Sequence, residues 1–198
     1  LLAASAAQAD VLHWGGGHAD LADGTPLPTT GSAFSGTWDT TTKNWATTNA
    51  PGTYDTYIPG AAVDLGMVTN LTGSGGKVVI TNASDVSLSS LFALVRGAPN
   101  EIISLTATSP KTLPLTGTNF IFNVHAVNEN GGLSFEQNVS LAGSAPVSRT
   151  ASFSGGKVTV KSDSNGFTGP VCVRNSEILV DGGTMAGVTD WRSLSRFH

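Results

Sequence analysis

The residues of this chain that could do chemistry are carboxylates, histidines and a single cysteine, Cys172. Glu129 and Glu136 lie seven positions apart across Gly131-Gly132, and Asp163 and Glu177 flank a later strand-rich unit. Two carboxylates held about 5–10 Å apart would suit glycosidic cleavage, one as acid and the other as nucleophile or base. The 14 acidic residues are dispersed, however, and no motif sets such a pair. His13, His18, Asp20 and Asp23 would suit a metal if rigid elements converged them on one point. The neighbouring Gly15-Gly16-Gly17 points instead to a solvated loop. Asp163, Asn165 and Asp181 offer oxygen ligands for calcium, without the Gly-Gly-x-Gly-x-Asp repeat of calcium-binding solenoids. His125, within Val124-His125-Ala126-Val127, reads as an edge or hydrogen-bonded core histidine. Cys172, between Val171 and Val173, reads as an inert core residue rather than a nucleophile. No catalytic, cofactor-binding or metal residue is assigned on this basis, and no cofactor is expected. The chain reads as non-enzymatic, with a polysaccharide lyase or glycoside hydrolase as the alternative.

The elements that would position these groups are short strands. A chain of 198 residues suffices for one domain with a substantial core. It holds 24 glycines and only 12% charged residues, against about 25% charged in typical domains. Ser, Thr, Asn and Val fill the difference, a mixture that favours pleated strands and tight corners. No window carries the i, i+3, i+4 pattern of a capped helix. Strands are expected at Val63–Leu65, Lys77–Ile80, Val86–Val95, Ile102–Thr106, Phe120–Val124, Leu133–Phe135, Val139–Leu141, Lys157–Lys161, Val171–Val173 and Ile178–Val180. Residues 11–35 read as loop. Gly75-Gly76-Lys77-Val78-Val79-Ile80 is echoed by Gly155-Gly156-Lys157-Val158-Thr159-Val160, a weak internal repeat.

Short strands without hairpin spacing fit an all-β right-handed parallel β-helix, a solenoid with about 20–25 residues per coil. The alternative is a β-sandwich of jelly-roll type, which needs antiparallel hairpins; Asn130-Gly131 is one candidate turn. Trp14, Trp38, Trp45, Tyr54 and Tyr57 crowd the first 57 positions. They would serve either as a sugar-stacking platform or, the favoured reading, as an N-terminal aromatic-rich cap over the end of the solenoid.

Two stretches carry a family resemblance. Asn165-x-Phe167-Thr168-Gly169-x-Val171-x-Val173, then Ile178-x-Val180 and Gly182-Gly183, follow Gly155-Gly156-Lys157-Val158-Thr159-Val160. This line resembles the autotransporter-associated β-strand repeat of bacterial secreted and surface β-solenoids. Gly36-Thr37-Trp38-Asp39, followed by Asn44-Trp45, is similar to an opening common in large secreted proteins built from such repeats. The resemblance implies a surface architecture and no particular chemistry.

Location and partners complete the reading. Leu1-Leu2-Ala3-Ala4 followed by Ala7-Gln8-Ala9 matches the end of a signal peptide with a small-x-small cleavage site. Residues 1–9 then read as a signal-peptide remnant, 10–60 as a loop and cap region, 61–188 as the solenoid body and 189–198 as a C-terminal tail. The net charge of −4 with scattered basic residues excludes nucleic acid as a partner. No apolar run approaches the about 20 residues of a membrane span. The expectation is an exported structural or adhesive protein, secreted or held at the bacterial cell surface. Its expected partners are further copies of itself, through solenoid ends or strand edges, or a surface polysaccharide. The alternative function is a polysaccharide-binding or polysaccharide-degrading β-helix protein.

Overall fold

The computed structural model describes residues 11–25, 35–47, 52–65, 77–95, 102–126, 131–150, 156–174, 177–185 and 196–197. Among the described residues there are nineteen strands and no helix. The first sheet runs from edge to edge as β16 (Val171–Arg174), β13 (Val147–Thr150), β10 (Phe120–Ala126), β7 (Ser90–Val95), β5 (Ala62–Asp64), β1 (Val11–Trp14), β3 (Trp45–Ala46) and β4 (Tyr54–Asp55). The second runs β19 (Arg196–Phe197), β17 (Glu177–Val180), β14 (Lys157–Val160), β11 (Gly132–Phe135), β8 (Ile102–Thr106), β6 (Lys77–Asn82) and β2 (Gly36–Trp38). Two short sheets pair β9 (Lys111–Pro114) with β12 (Val139–Ala142), and β15 (Asp163–Ser164) with β18 (Thr184–Met185). Pairing is parallel throughout the described strands except where β3 meets β1 and β4.

From β7 to β18 the chain visits the first sheet, the second sheet and a short sheet in rotation. Val78 pairs with Ile103, Ile103 with Leu133, Leu133 with Val158 and Val158 with Ile178. The step between aligned residues is about 30 at its longest and falls to about 20 at the C-terminal end. Each of these five side chains is buried, so one row of branched aliphatics runs across the second sheet. Leu12, Val63, Leu91 and Phe122 form the facing row in the first sheet. Period-two alternation sends the intervening residues outward. The rows interlock into one apolar core that runs from Leu12 to Ile178. At about 25 cal/mol per Å² of apolar surface removed from water, this core is the main stabilising contribution.

Nine of the nineteen strands escaped the sequence reading: β1, β2, β3, β4, β9, β13, β15, β18 and β19. β1 lies inside the stretch expected to be loop: Leu12 and Trp14 point into the core, and glycines follow them directly. β9 has a single buried side chain, Leu113, beside a proline, and β13 opens on a lone Val147 after Pro146. Neither shows local alternation, because neighbouring strands in the sheet define them. In the expected run Val86–Val95, the strand itself begins only at Ser90, although Val86 and Leu88 are buried. Parallel pairing also reaches back before residue 61, through β1 with β5 and β2 with β6.

Candidate functional site

The aromatic residues come together at the N-terminal end of the stack. Trp14 and Trp45 have ring centroids 4.9 Å apart, Trp38 and Trp45 5.0 Å, and Tyr57 lies 5.1 Å from both Trp38 and Trp45. All four rings are at most 2% exposed. A sugar ring needs an open aromatic face, and these offer none. Edge-to-face and tilted contacts of this kind suit a packed core, and each adds to the large apolar area its ring buries. The Tyr57 hydroxyl donates to Ser87 O at 2.7 Å, and the Tyr54 hydroxyl to Thr25 O at 2.9 Å. Burial pushes the pKa of both phenols above their ordinary value.

The stretch Gly36–Trp45 shows how this end is built. Gly36 lies against the backbone of Gly17, and a Cβ added there would come within 2.1 Å of Gly17 O. Asp39 closes the turn after Trp38. Its carboxylate accepts from the amides of Thr41 (2.8 Å) and Thr42 (2.6 Å) and from both hydroxyls. Burial tends to raise the pKa of Asp39, but these four donors outweigh it and hold the carboxyl below its ordinary value. Asn44 is fully buried, and its Nδ2 donates to Thr37 O at 2.8 Å and to Gly17 O at 3.3 Å. The indole N–H groups of Trp38 and Trp45 and both amide atoms of Asn82 are buried without a hydrogen-bond partner among the described residues. This end is covered chiefly by apolar volume.

The histidines and aspartates that invited a metal reading do not converge. His13 Nδ1 pairs with Asp64 Oδ2 at 2.8 Å across adjacent strands. Their flanking partners in register are Ala46 and Phe92, so no nucleophile stands beside the pair in that row. His18 Nδ1 meets Thr37 Oγ1 at 3.0 Å, Asp20 accepts from the Lys43 amide at 2.8 Å, and Asp23 accepts from the Tyr54 amide at 3.2 Å. Each ties the 15–25 loop to a different element of the N-terminal end. At the other end Asp163 and Asn165 both accept from the Thr184 hydroxyl, at 3.1 and 2.8 Å, while Asp181 is exposed. No group of three His, Cys, Asp or Glu residues is placed to hold a metal among the described residues.

Glu136 holds the densest polar network on the outer side of the second sheet. Its Oε1 accepts from Ser104 at 2.5 Å and Ser134 at 3.1 Å, and its Oε2 faces Lys161 Nζ at 3.3 Å. Ser104 is on β8, Ser134 on β11, and Lys161 directly follows β14. One carboxylate thus ties three successive strands. Ser104 and Ser134 are buried beneath it. A shallow depression nearby, lined by Ile102, Gly132, Leu133, Lys157 and Thr159, measures about 20 Å³, room for roughly one water. Asp163 and Glu177 lie in different sheets. Glu129 lies outside the described residues, as do the side chains of His125 and Cys172 and the whole of residues 1–10.

No family model matches this chain, and comparison with curated proteins and with solved structures finds no similar chain. The geometry therefore has to carry the functional argument. What sequence reasoning missed was the Glu136 network and the role of Asn44. The sole local hint of the first was Glu two residues after Ser134, on the same face of a strand.

Proposed function

We propose that this chain is a right-handed parallel β-helix whose role is structural or adhesive: an exported, non-enzymatic solenoid of the bacterial surface. Rotation of the chain through three strand positions, with parallel pairing at each, supports the coil reading. Right-handedness follows from the strong bias of parallel crossover connections. The aromatic cluster then acts as the cap, and the signal-peptide-like start and the repeat resemblance motivate export. The observation that carries the functional reading is the state of Glu136. This carboxylate, the best placed of those singled out in sequence, is held by two serines and a lysine from three adjacent strands. Such an arrangement suits a cross-strand clasp better than a general acid or nucleophile facing substrate.

The test is a pair of assays on the purified chain: cosedimentation with bacterial cells, and release of reducing ends from a panel of polysaccharides. Cell binding without turnover supports the reading. Turnover that disappears in Glu136→Gln overturns it and makes the solenoid a polysaccharide-degrading scaffold.

A further inference from the structure

The turn Ser164-Asn165-Gly166-Phe167 sets an Asn-Gly pair against a hydroxyl from another strand. Phe167 N–H closes the turn by donating to Ser164 O at 3.0 Å. Ser164 and Phe167 are buried, while Asn165 and Gly166 between them are exposed. Both flanks are anchored. Ser164 Oγ accepts from the Leu141 amide of β12 at 2.9 Å, Gly143 N–H donates to Gly166 O at 2.9 Å, and β15 pairs with β18. From β18, the Thr184 hydroxyl shares its proton between Asn165 Oδ1 at 2.8 Å and Asp163 Oδ1 at 3.1 Å. A hydrogen bond to Oδ1 draws electron density from the amide carbon Cγ and stabilises an oxyanion that forms there. Glycine at 166 supplies the next backbone nitrogen with no Cβ beside it to hinder approach.

We propose that Asn165 is a self-modification site, converted to aspartate and isoaspartate by attack of the Gly166 backbone nitrogen and promoted by Thr184. Hydroxide takes the Gly166 N–H proton, and the nitrogen bonds to Asn165 Cγ while negative charge collects on Oδ1, opposite the Thr184 hydroxyl. The Cγ–Nδ2 bond then breaks. Ammonia leaves with a proton from water, which regenerates hydroxide. Water opens the resulting five-membered imide, at the side-chain carbonyl to give aspartate or at the main-chain carbonyl to give isoaspartate. The net change is one water consumed, one ammonia released and one negative charge gained. Aspartate at this position puts a second carboxylate beside Asp163, around a single hydroxyl proton, and the two like charges repel. Isoaspartate inserts a methylene into the backbone of the turn. The bonds in its path are Phe167 N–H to Ser164 O and, across to β18, Thr184 N–H to Ser162 O at 3.2 Å. The modification therefore loosens the β15–β18 corner and leaves the apolar rows of the two large sheets in place.

The test is timed incubation of the 198-residue chain, wild type, Thr184→Val and Asn165→Ser, followed by peptide mass mapping and labelling with an isoaspartyl methyltransferase. Wild type is expected to gain the acid at residue 165, with isoaspartate in the mixture. The rate should rise at least about tenfold from about pH 6 to about pH 8, because hydroxide is the base. Thr184→Val should slow the step at residue 165 by about fivefold, the worth of one hydrogen bond. It should leave the rate at Asn130, which also precedes a glycine, unchanged. Asn165→Ser should remove the labelled peptide. In the modified fraction the amides of Phe167 and Thr184 should exchange faster, while those of β10 and β11 stay slow. An unaltered residue 165 overturns the proposal, and so does a rate there that Thr184→Val leaves equal or raises. If Thr184→Val does not fold, native and urea-unfolded wild type decide. A rate at residue 165 no lower in the folded chain supports the activated turn, and a lower one overturns it.

Discussion

The N-terminal and C-terminal ends of the strand stack meet the same physical problem with different residues. At each, among the described residues, a ladder of backbone hydrogen bonds and an apolar row reach their last member. The N-terminal end uses bulk and side-chain hydrogen bonding: three tryptophans and a tyrosine fill the cross-section, while Asn44 donates to an edge carbonyl and Asp23 and Asp39 take up edge and turn amides. The C-terminal end uses small aliphatics and a shorter step between aligned strands, and Val180 is less buried than the residues before it in its row. Aromatic volume covers an end with few residues, whereas branched aliphatics cover it less completely.

Substitutions at the two ends sharpen this contrast. Trp45→Ala should be the most damaging, costing about 3–5 kcal/mol in denaturant unfolding, because it removes a fully buried ring packed against Trp14, Trp38 and Tyr57. A loss under about 1 kcal/mol would mean that the aromatic end is not integral to the core. Asn44→Ala should cost about 1–3 kcal/mol by leaving Thr37 O without its side-chain donor at a closed edge. Its effect should appear as faster amide exchange at Thr37 and Gly17 before global unfolding.

Asp39→Asn should cost about 1 kcal/mol at neutral pH, where the carboxylate holds the amides of Thr41 and Thr42. The sign of its pH dependence follows from the lowered folded pKa. The contribution is complete above the ordinary carboxylate range and is lost as pH falls through the folded value. The wild-type advantage should therefore shrink below about pH 4 in acid titrations followed by circular dichroism. A difference that stays constant to pH 2 would assign the effect to packing instead. Val180→Ala should cost least, under about 1 kcal/mol, because its side chain is only partly buried. A cost comparable to that of Trp45→Ala in the 198-residue chain would break the contrast between the ends.

Much of the strand pattern was legible in the residues. Lys157-Val158-Thr159-Val160 and Phe120-Ile121-Phe122-Asn123-Val124 alternate or cluster apolar residues between turn formers, and both are strands. Lys111–Pro114 and Val147–Thr150 were not legible, because a single Leu or Val apiece makes no period in sequence and their partners stand 28 and 27 residues away, at Val139–Ala142 and Phe120–Asn123. Among the candidate groups, sequence could place Glu136 two residues from Ser134 but could not show Ser104 and Lys161 meeting it. Those contacts depend on register between strands remote in the chain. His13, His18, Asp20 and Asp23, neighbours in sequence, are separated in space by the four different partners that hold them.

By itself, the sequence determined the secondary-structure class: β-branched residues, glycine and asparagine without helical period leave short strands as the stable local solution. It also determined that five of the six Trp and Tyr residues fall in the first third of the chain. Only the tertiary structure decided which strands are neighbours, which carboxylate bridges three of them, and whether the tryptophan faces meet water or one another. Alternation specifies which side of a strand is apolar, whereas register and stacking order are collective properties of the assembled core.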